Sequence, residues 1–359
     1  MLNRRLFIRS FASAALVANL PISVLLQNET KSKIHIDTLC YDPNITSQAI
    51  QNAIQGGLTT AVLDIGIYPR EFAAAEKELS KWNEKFKETD SKVLSVLKAD
   101  DFIRAKTEKK LGIVLACQDA TILGTSLGNW QANLKLFHSL GLRVLQLTHN
   151  ARTHWADSYM EKRDGGVSLA GQQLISEMNK LGMVIDLSHC SPNTLFDAVR
   201  MSQKPCAVTH AGCKSLAKTD RNKSDQEIRE IGKNGGFFGV YNMTTWLTSQ
   251  PTANLNTVID HIDHVVQIIG ADKVGFGSDG AVDTLDAPAE VARMARVQKA
   301  NAGSPSAEWE VKHVRVPELN APNRLTVLAE GLSKRGYSDN QIEGIVGQNF
   351  VKFFKIVFG

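Results

Sequence analysis

Three short apolar runs within residues 143–211 each end in a histidine: Arg-Val-Leu-Gln-Leu-Thr-His149, Met-Val-Ile-Asp-Leu-Ser-His189 and Cys-Ala-Val-Thr-His210. Runs of this length and aliphatic content, separated by segments of helical period, read as buried parallel strands alternating with helices. In such a fold ligands sit where strands end, so a histidine closing each of three successive units constrains architecture and function together. One strand-end histidine would carry little weight, because a lone buried histidine is more often a satisfied core residue. Three in series carry more.

The same rhythm extends in both directions. Strands are expected at 33–37, 58–65, 111–118, 143–149, 182–189, 206–210, 236–241 and 274–280, and helices at 46–55, 127–140, 168–181, 191–202, 224–233 and 255–269. The charged stretch 70–110 reads as one or two solvated helices without chemistry. Eight strand–helix units in about 250 residues predict an α/β fold, a (β/α)8 TIM barrel. A doubly wound sheet is disfavoured, because no Gly-rich phosphate turn follows the first strand. From residue 288 the pattern is helical, at 323–335, 339–344 and 349–357, so extra C-terminal helices are expected to pack on the barrel within a single domain, 33–359.

Composition narrows the partners. The 359 residues are 43% apolar and 22% charged, an ordinary globular balance. Arg4, Arg5 and Arg9 supply three of the four net positive charges, and the remaining 38 basic residues nearly balance 37 acids, so there is no electrostatic case for nucleic acid. Asn3-Arg-Arg-Leu-Phe-Ile-Arg9, followed by an apolar run over 11–26, resembles a twin-arginine export signal, with a short membrane anchor as the other reading. Residues 1–32 are therefore set apart as signal or anchor plus linker, export machinery is an expected partner, and the body is expected in the periplasm or anchored facing it. A homodimer is left open. Cys40, Cys117, Cys190, Cys206 and Cys213 are odd in number and lack CxxC spacing, which signals neither a disulfide framework nor a cysteine zinc site. They read as packing residues near strand ends.

The strand ends also suggest chemistry. His35 and Asp37, two residues apart at the expected end of the first strand, would share a face and offer a corner for a divalent metal. With Gln118, His149, His189, His210 and Asp279 they are expected to converge on one mouth. Imidazoles and carboxylates suit zinc or a similar first-row ion. Asp279 is placed to take a proton from attacking water, Arg221 to hold a substrate carboxylate through paired hydrogen bonds, and His149 to polarise or orient a scissile carbonyl.

These residues lie in a pattern that resembles the membrane (renal) dipeptidase family of metallopeptidases, within the amidohydrolase-type barrels. The resemblance runs through His35-x-Asp37, Leu140-Gly-Leu-Arg-Val-Leu-Gln-Leu-Thr-His149-Asn150, the segment from Glu177 to His189, Asp220-Arg221-Asn222, Gly277-Ser-Asp279-Gly280 and Gly347-Gln-Asn349-Phe350. It implies hydrolysis of small dipeptides, often with a D-residue at the C-terminal position, at a zinc centre. By that resemblance His35, Asp37, His189 and His210 would be metal ligands, His149 and Arg221 would contact substrate, and Asp279 would be the acid/base. One position departs. The family bridges two zincs with a glutamate where this chain has Gln118, and an amide cannot supply the charge that screens two neighbouring dications. One tightly held ion is therefore expected, with a second weak or missing. Asp119, on the opposite strand face, is a poor substitute. Two other readings remain in view: a barrel relative acting on another amide or modified peptide, and a non-peptidase binding or maturation protein.

Overall fold

Nine strands, all parallel, run β1 (Ile36–Tyr41), β2 (Thr60–Asp64), β3 (Val93–Ser95), β4 (Leu111–Cys117), β5 (Leu142–Gln146), β6 (Val184–Asp186), β7 (Ala207–Ala211), β8 (Phe237–Val240) and β9 (Val274–Phe276) among the described residues. The computed structural model describes residues 33–43, 45–66, 71–124, 128–250, 252–284, 292 and 314–358, and Ile34–Gly359 forms one compact unit. The expected export segment, 1–32, and His313 lie outside the described residues. Eight strands follow one another around the sheet in the order β1-β2-β4-β5-β6-β7-β8-β9, while β3 lies beside the first half of β4. The seam between β9 and β1 closes through a parallel bridge, Cys40 to Gly280, with the Tyr41 amide donating to the Gly280 carbonyl at 2.8 Å and the Asp279 amide to the Leu39 carbonyl at 2.9 Å. The chain is a (β/α)8 barrel.

The longer helices are α1 (Ser47–Gln55), α2 (Phe72–Lys87), α3 (Asp100–Thr107), α4 (Trp130–Ser139), α5 (Leu169–Leu181), α6 (Pro192–Met201), α7 (Asp225–Lys233), α8 (Leu255–Ile269), α9 (Arg324–Arg335) and α10 (Asn349–Phe358). Strand alternation sorts the apolar residues into two layers. Ile36, Val62, Val114, Val144, Val184, Ala207 and Phe237 line the barrel interior and meet Phe350, Phe353, Phe354 and Val357 of α10. Lys204, just before β7, donates to the Val357 carbonyl, and the Arg143 guanidinium at the start of β5 lies 4.8 Å from the Phe358 ring. The final helix therefore plugs the N-terminal end of the barrel. The alternate residues Leu63, Leu115, Leu145, Ile185, Val208 and Val240 pack outward against the helices. Among the described residues no helix is long and apolar enough to cross a membrane.

The seam carries a buried ion pair. Asp37 is fully buried on β1, and its carboxylate accepts from the Ser278 amide at 2.7 Å and from Arg324 of α9 at 3.0 Å. Arg324 also donates to the Ser278 hydroxyl and to the Ala281 and Asp283 carbonyls, so one guanidinium ties β1, the chain after β9 and α9 together. Inside the barrel the Thr38 hydroxyl donates to the carbonyls of Thr209 and Phe276, at 2.8 and 3.0 Å. Gly239 leaves room for this approach: a Cβ there would stand 2.0 Å from the Thr209 oxygen and 2.7 Å from the Thr38 hydroxyl.

Two expectations change. The stretch 70–110 is not solvated throughout: the short strand β3 splits it, and α2 and α3 bury Leu79, Trp82 and Phe102 against the barrel. Their apolar faces are narrow within a highly charged stretch, which masks them in the sequence. The first strand does not end at Asp37 but continues to Tyr41, which moves the residues that reach its end by four positions.

Removing one partner of a buried ion pair leaves the other charge uncompensated, at about 3–5 kcal/mol. Arg324→Met should lower unfolding stability by roughly that amount in a urea titration. A loss below about 1 kcal/mol would mean that the seam does not depend on this pair.

Candidate active site

Where each candidate stands follows from where its strand ends. His35 sits at the start of β1. Its carbonyl accepts from the Thr59 and Thr60 amides that open β2, and a Cβ on Gly57 would lie 3.6 Å from its ring nitrogen. Four residues of strand, about 13 Å, separate it from Leu39 at the level of the seam. His35 is thus at the opposite end of the barrel from His189 and His210, and Asp37 is committed to Arg324 and Ser278. The expected metal corner is not formed. β1 brings Leu39, Cys40 and Tyr41 to the mouth instead, none of them an imidazole or a carboxylate.

The other candidates do gather. His189 lies three residues beyond β6, where Ser191 caps α6 by accepting from the Thr194 amide, which makes the turn short and fixed. His210 is on β7, fully buried. Their Nε2 atoms are 3.1 Å apart. The His149 ring stacks on His189 with centroids 4.3 Å apart and planes at 28°. The loop after β5 folds back over this group, the Tyr159 amide donating to the His189 carbonyl at 2.9 Å and the Tyr159 ring standing 5.8 Å from the His189 ring.

Arg221 is buried between the rings of Tyr159 and Tyr241, at 5.9 and 5.5 Å from their centroids. Its terminal nitrogens donate to the Ser188 and His210 carbonyls, at 2.5 and 2.8 Å, and its Nε has no hydrogen-bond partner among the described residues. The guanidinium therefore staples the two histidine-bearing chain ends before it can serve a ligand, which narrows the expected two-point carboxylate clamp to its remaining N–H groups. Burial pushes the His210 imidazole well below its usual range, with the Arg221 charge adding to the effect, so the ring is neutral near pH 7. Burial also raises the Tyr159 and Tyr241 hydroxyls, and the charge of Asp279 contributes to both shifts. Asp279, half-buried at the end of β9 with φ +52°, therefore shares the electrostatic field of the mouth.

A polar cluster joins the ends of β2, β4 and β5. Gln118 donates through Nε2 to Asp64 at 3.0 Å and accepts from Gln146 at 3.3 Å. Asp119 caps the following turn by accepting from the Thr121 amide at 2.9 Å. The sequence reading missed Tyr159, which lies in the loop between the expected strand 143–149 and helix 168–181, and Tyr241, which ended a strand assigned no chemistry. All five cysteines are buried and none is in a disulfide among the described residues, and burial raises the thiols of Cys190 and Cys206 to about 11 and about 12, which leaves them unreactive. His261, on α8, is buried and pinned between the Cys213 amide and the Leu247 carbonyl, each at 2.9 Å.

A parallel barrel with histidines, a tyrosine-flanked arginine and an acid at its C-terminal mouth defines an amidohydrolase-type protein. The chain belongs to the membrane dipeptidase family (Peptidase family M19), whose profile matches residues 23–297. It is 30% identical over 250 residues to Dipeptidase 3 of Mus musculus, a match covering 68% of this chain and 45% of the mouse protein. The chain thus spans less than half the length of that relative. Among solved structures it is similar to an amidohydrolase from Pseudomonas aeruginosa, with TM-score 0.80, 25% identity, and 93% of this chain and 99% of that one covered. It shares its fold with a metallopeptidase from Rhodobacter sphaeroides liganded with a phosphinate mimic of the dipeptide L-Ala-D-Ala, with TM-score 0.70, 17% identity, and 90% and 99% covered.

The family implies a metal. Among the described residues no group of three or more His, Cys, Asp or Glu side chains is gathered to hold an ion. What the mouth offers is a pair of imidazoles, one of them fully buried, with Nε2 atoms close enough for both to reach one first-row ion at about 2.0–2.1 Å each.

Gln118→Glu would put a second carboxylate about 3 Å from Asp64, so the two would share a proton and one pKa would rise. A carboxyl with a raised folded pKa binds its proton more tightly in the folded state, so stability falls as pH climbs above about 4.3. The melting-temperature deficit of Gln118→Glu should therefore be larger at pH 8 than at pH 5. An equal deficit at both would show that Asp64 and residue 118 do not interact.

Proposed function

We propose that the barrel mouth binds a small dipeptide or related amide and hydrolyses it, as a one-metal relative of the family's peptidases. The observation that carries this reading is the meeting of His149, His189 and His210 beneath Tyr159, with Asp279 in the same field. His189 and His210 would hold the ion, zinc or a similar cation, and an ion there supplies Lewis-acid polarisation of the scissile carbonyl. The half-exposed His149 ring, braced by its stack on His189, hydrogen-bonds that carbonyl and orients it. Asp279 takes the proton of the attacking water and passes it to the leaving amine. The unpartnered Nε of Arg221, between two tyrosine rings, offers a charge-assisted donor to the substrate carboxylate. Export by a twin-arginine-type route to the periplasm, or anchoring facing it, completes the proposal and rests on the arginine pair and apolar run of residues 4–26.

A second reading has its own support. Asp37 and Gln118 are committed to other partners, and this favours a protein that keeps the pocket and binds peptide-like ligands without cleaving them.

A panel of L-L and L-D dipeptides separates the two. The hydrolase reading expects turnover, with kcat reduced about 10²–10⁴-fold in Asp279→Asn and ligand binding retained. Saturable dipeptide binding by wild-type protein with no release of free amino acid would establish the second reading.

A further inference from the structure

The turn that carries His189 has each of its carbonyls engaged. The Leu187 carbonyl accepts from the Cys190 amide at 3.2 Å, that of Ser188 from Arg221, that of His189 from the Tyr159 amide at 2.9 Å, and that of Cys190 from Lys223 Nζ at 2.7 Å. Lys223 therefore holds the chain on the side of His189 away from Arg221. It is fully buried, which is costly for a lysine unless its ammonium is partnered. Its main chain belongs to the turn after His210: the Lys223 amide donates to the Gly212 carbonyl at 3.0 Å, and the Lys223 carbonyl accepts from the Lys214 amide at 2.8 Å. One residue thus links the turn after β6 to the turn after β7, the two that bear the histidines. The ammonium also lies 3.6 Å from Oε1 of buried Glu227, whose Oε2 accepts from the Ser224 amide and hydroxyl and so starts α7. A buried ion pair adds little stability over apolar residues of the same volume. What an apolar side chain could not supply is the donor to Cys190, and that donor acts on the place of His189.

We propose that Lys223 is a positioning residue of the mouth: by tying the Cys190 carbonyl to the turn after β7, it fixes His189 where its ring stacks on His149 and meets His210. The proposal rests on the hydrolase reading only for its consequence in rate, since a misplacement of about 1 Å in a site can cost about 10²-fold in turnover.

Lys223→Met keeps the length of the side chain and removes the donor, but it leaves the Glu227 charge unpaired. Lys223→Met/Glu227→Gln removes that charge as well, and the new amide can still complete the cap of α7. Two readouts are taken on the full-length protein, with melting temperature followed for every variant. One is dipeptide kinetics. The other is the Cε1–H resonances of His149 and His189 in histidine-labelled protein, assigned through His149→Gln and His189→Gln. The double variant should regain the melting temperature that Lys223→Met loses, while kcat stays about 10²-fold below wild type with KM little changed. Both histidine resonances should stay displaced, because the stacked rings shift relative to one another. Recovery of kcat in step with melting temperature would overturn the proposal, as would resonances that coincide with those of the wild type. Displaced resonances in a protein whose wild type turns over no dipeptide would uphold the role of Lys223 and end the hydrolase reading.

Discussion

The seam between the first and last strands is the constraint on which the rest depends. A barrel brings distant residues to one rim only if its ends are held in register, and here the register is held by a charge. Asp37 on β1 takes the Ser278 amide from the far side of the seam, and Arg324 of α9 neutralises it. The bridge from Cys40 to Gly280 lies just above. With that register set, the ends of β6, β7 and β9 fall around one opening, and His189, His210 and Asp279 meet there although they span 91 positions of the chain.

The same interaction explains what the mouth lacks. A carboxylate used to close the barrel is not available to bind a cation, and the strand that carries it delivers Leu39 and Tyr41 to the rim. On the neighbouring strands Asp64 and Gln146 hold the Gln118 amide between them as part of a polar cluster. The mouth thus gathers the imidazole pair, while Asp37 and Gln118 serve the structure around it. Arg221 shows a similar division: two of its donors secure the chain ends that carry the histidines, and its buried Nε has no hydrogen-bond partner among the described residues.

Much of this could be read from the residues. The repeating apolar runs and the helical periods between them specify the barrel, and His149, His189, His210 and Asp279 close runs that are strands or strand ends. The misplacement of His35 and Asp37 has a physical cause. Polar residues normally mark where a buried strand stops, and Asp37-Thr38 looks like such a stop. The strand continues because the Asp37 charge is met by an arginine 287 positions away and the Thr38 hydroxyl by carbonyls of β7 and β9. No local pattern reports partners that distant. Strand β3 was hidden for a simpler reason, being three residues long within a highly charged stretch. Tyr159 was missed because a tyrosine in a long loop gives no signal until the loop is seen to fold over His189.

The central claim is that this barrel mouth holds one cation position, set by two imidazoles, while the acid of the first strand belongs to the seam. Anomalous diffraction from crystals of the protein soaked in Co²⁺ or Zn²⁺ measures this directly. The account predicts a single strong peak between Nε2 of His189 and Nε2 of His210, with Asp37 still bonded to Arg324. Two neighbouring peaks at the mouth, or a peak coordinated by His35 or Asp37, would contradict it.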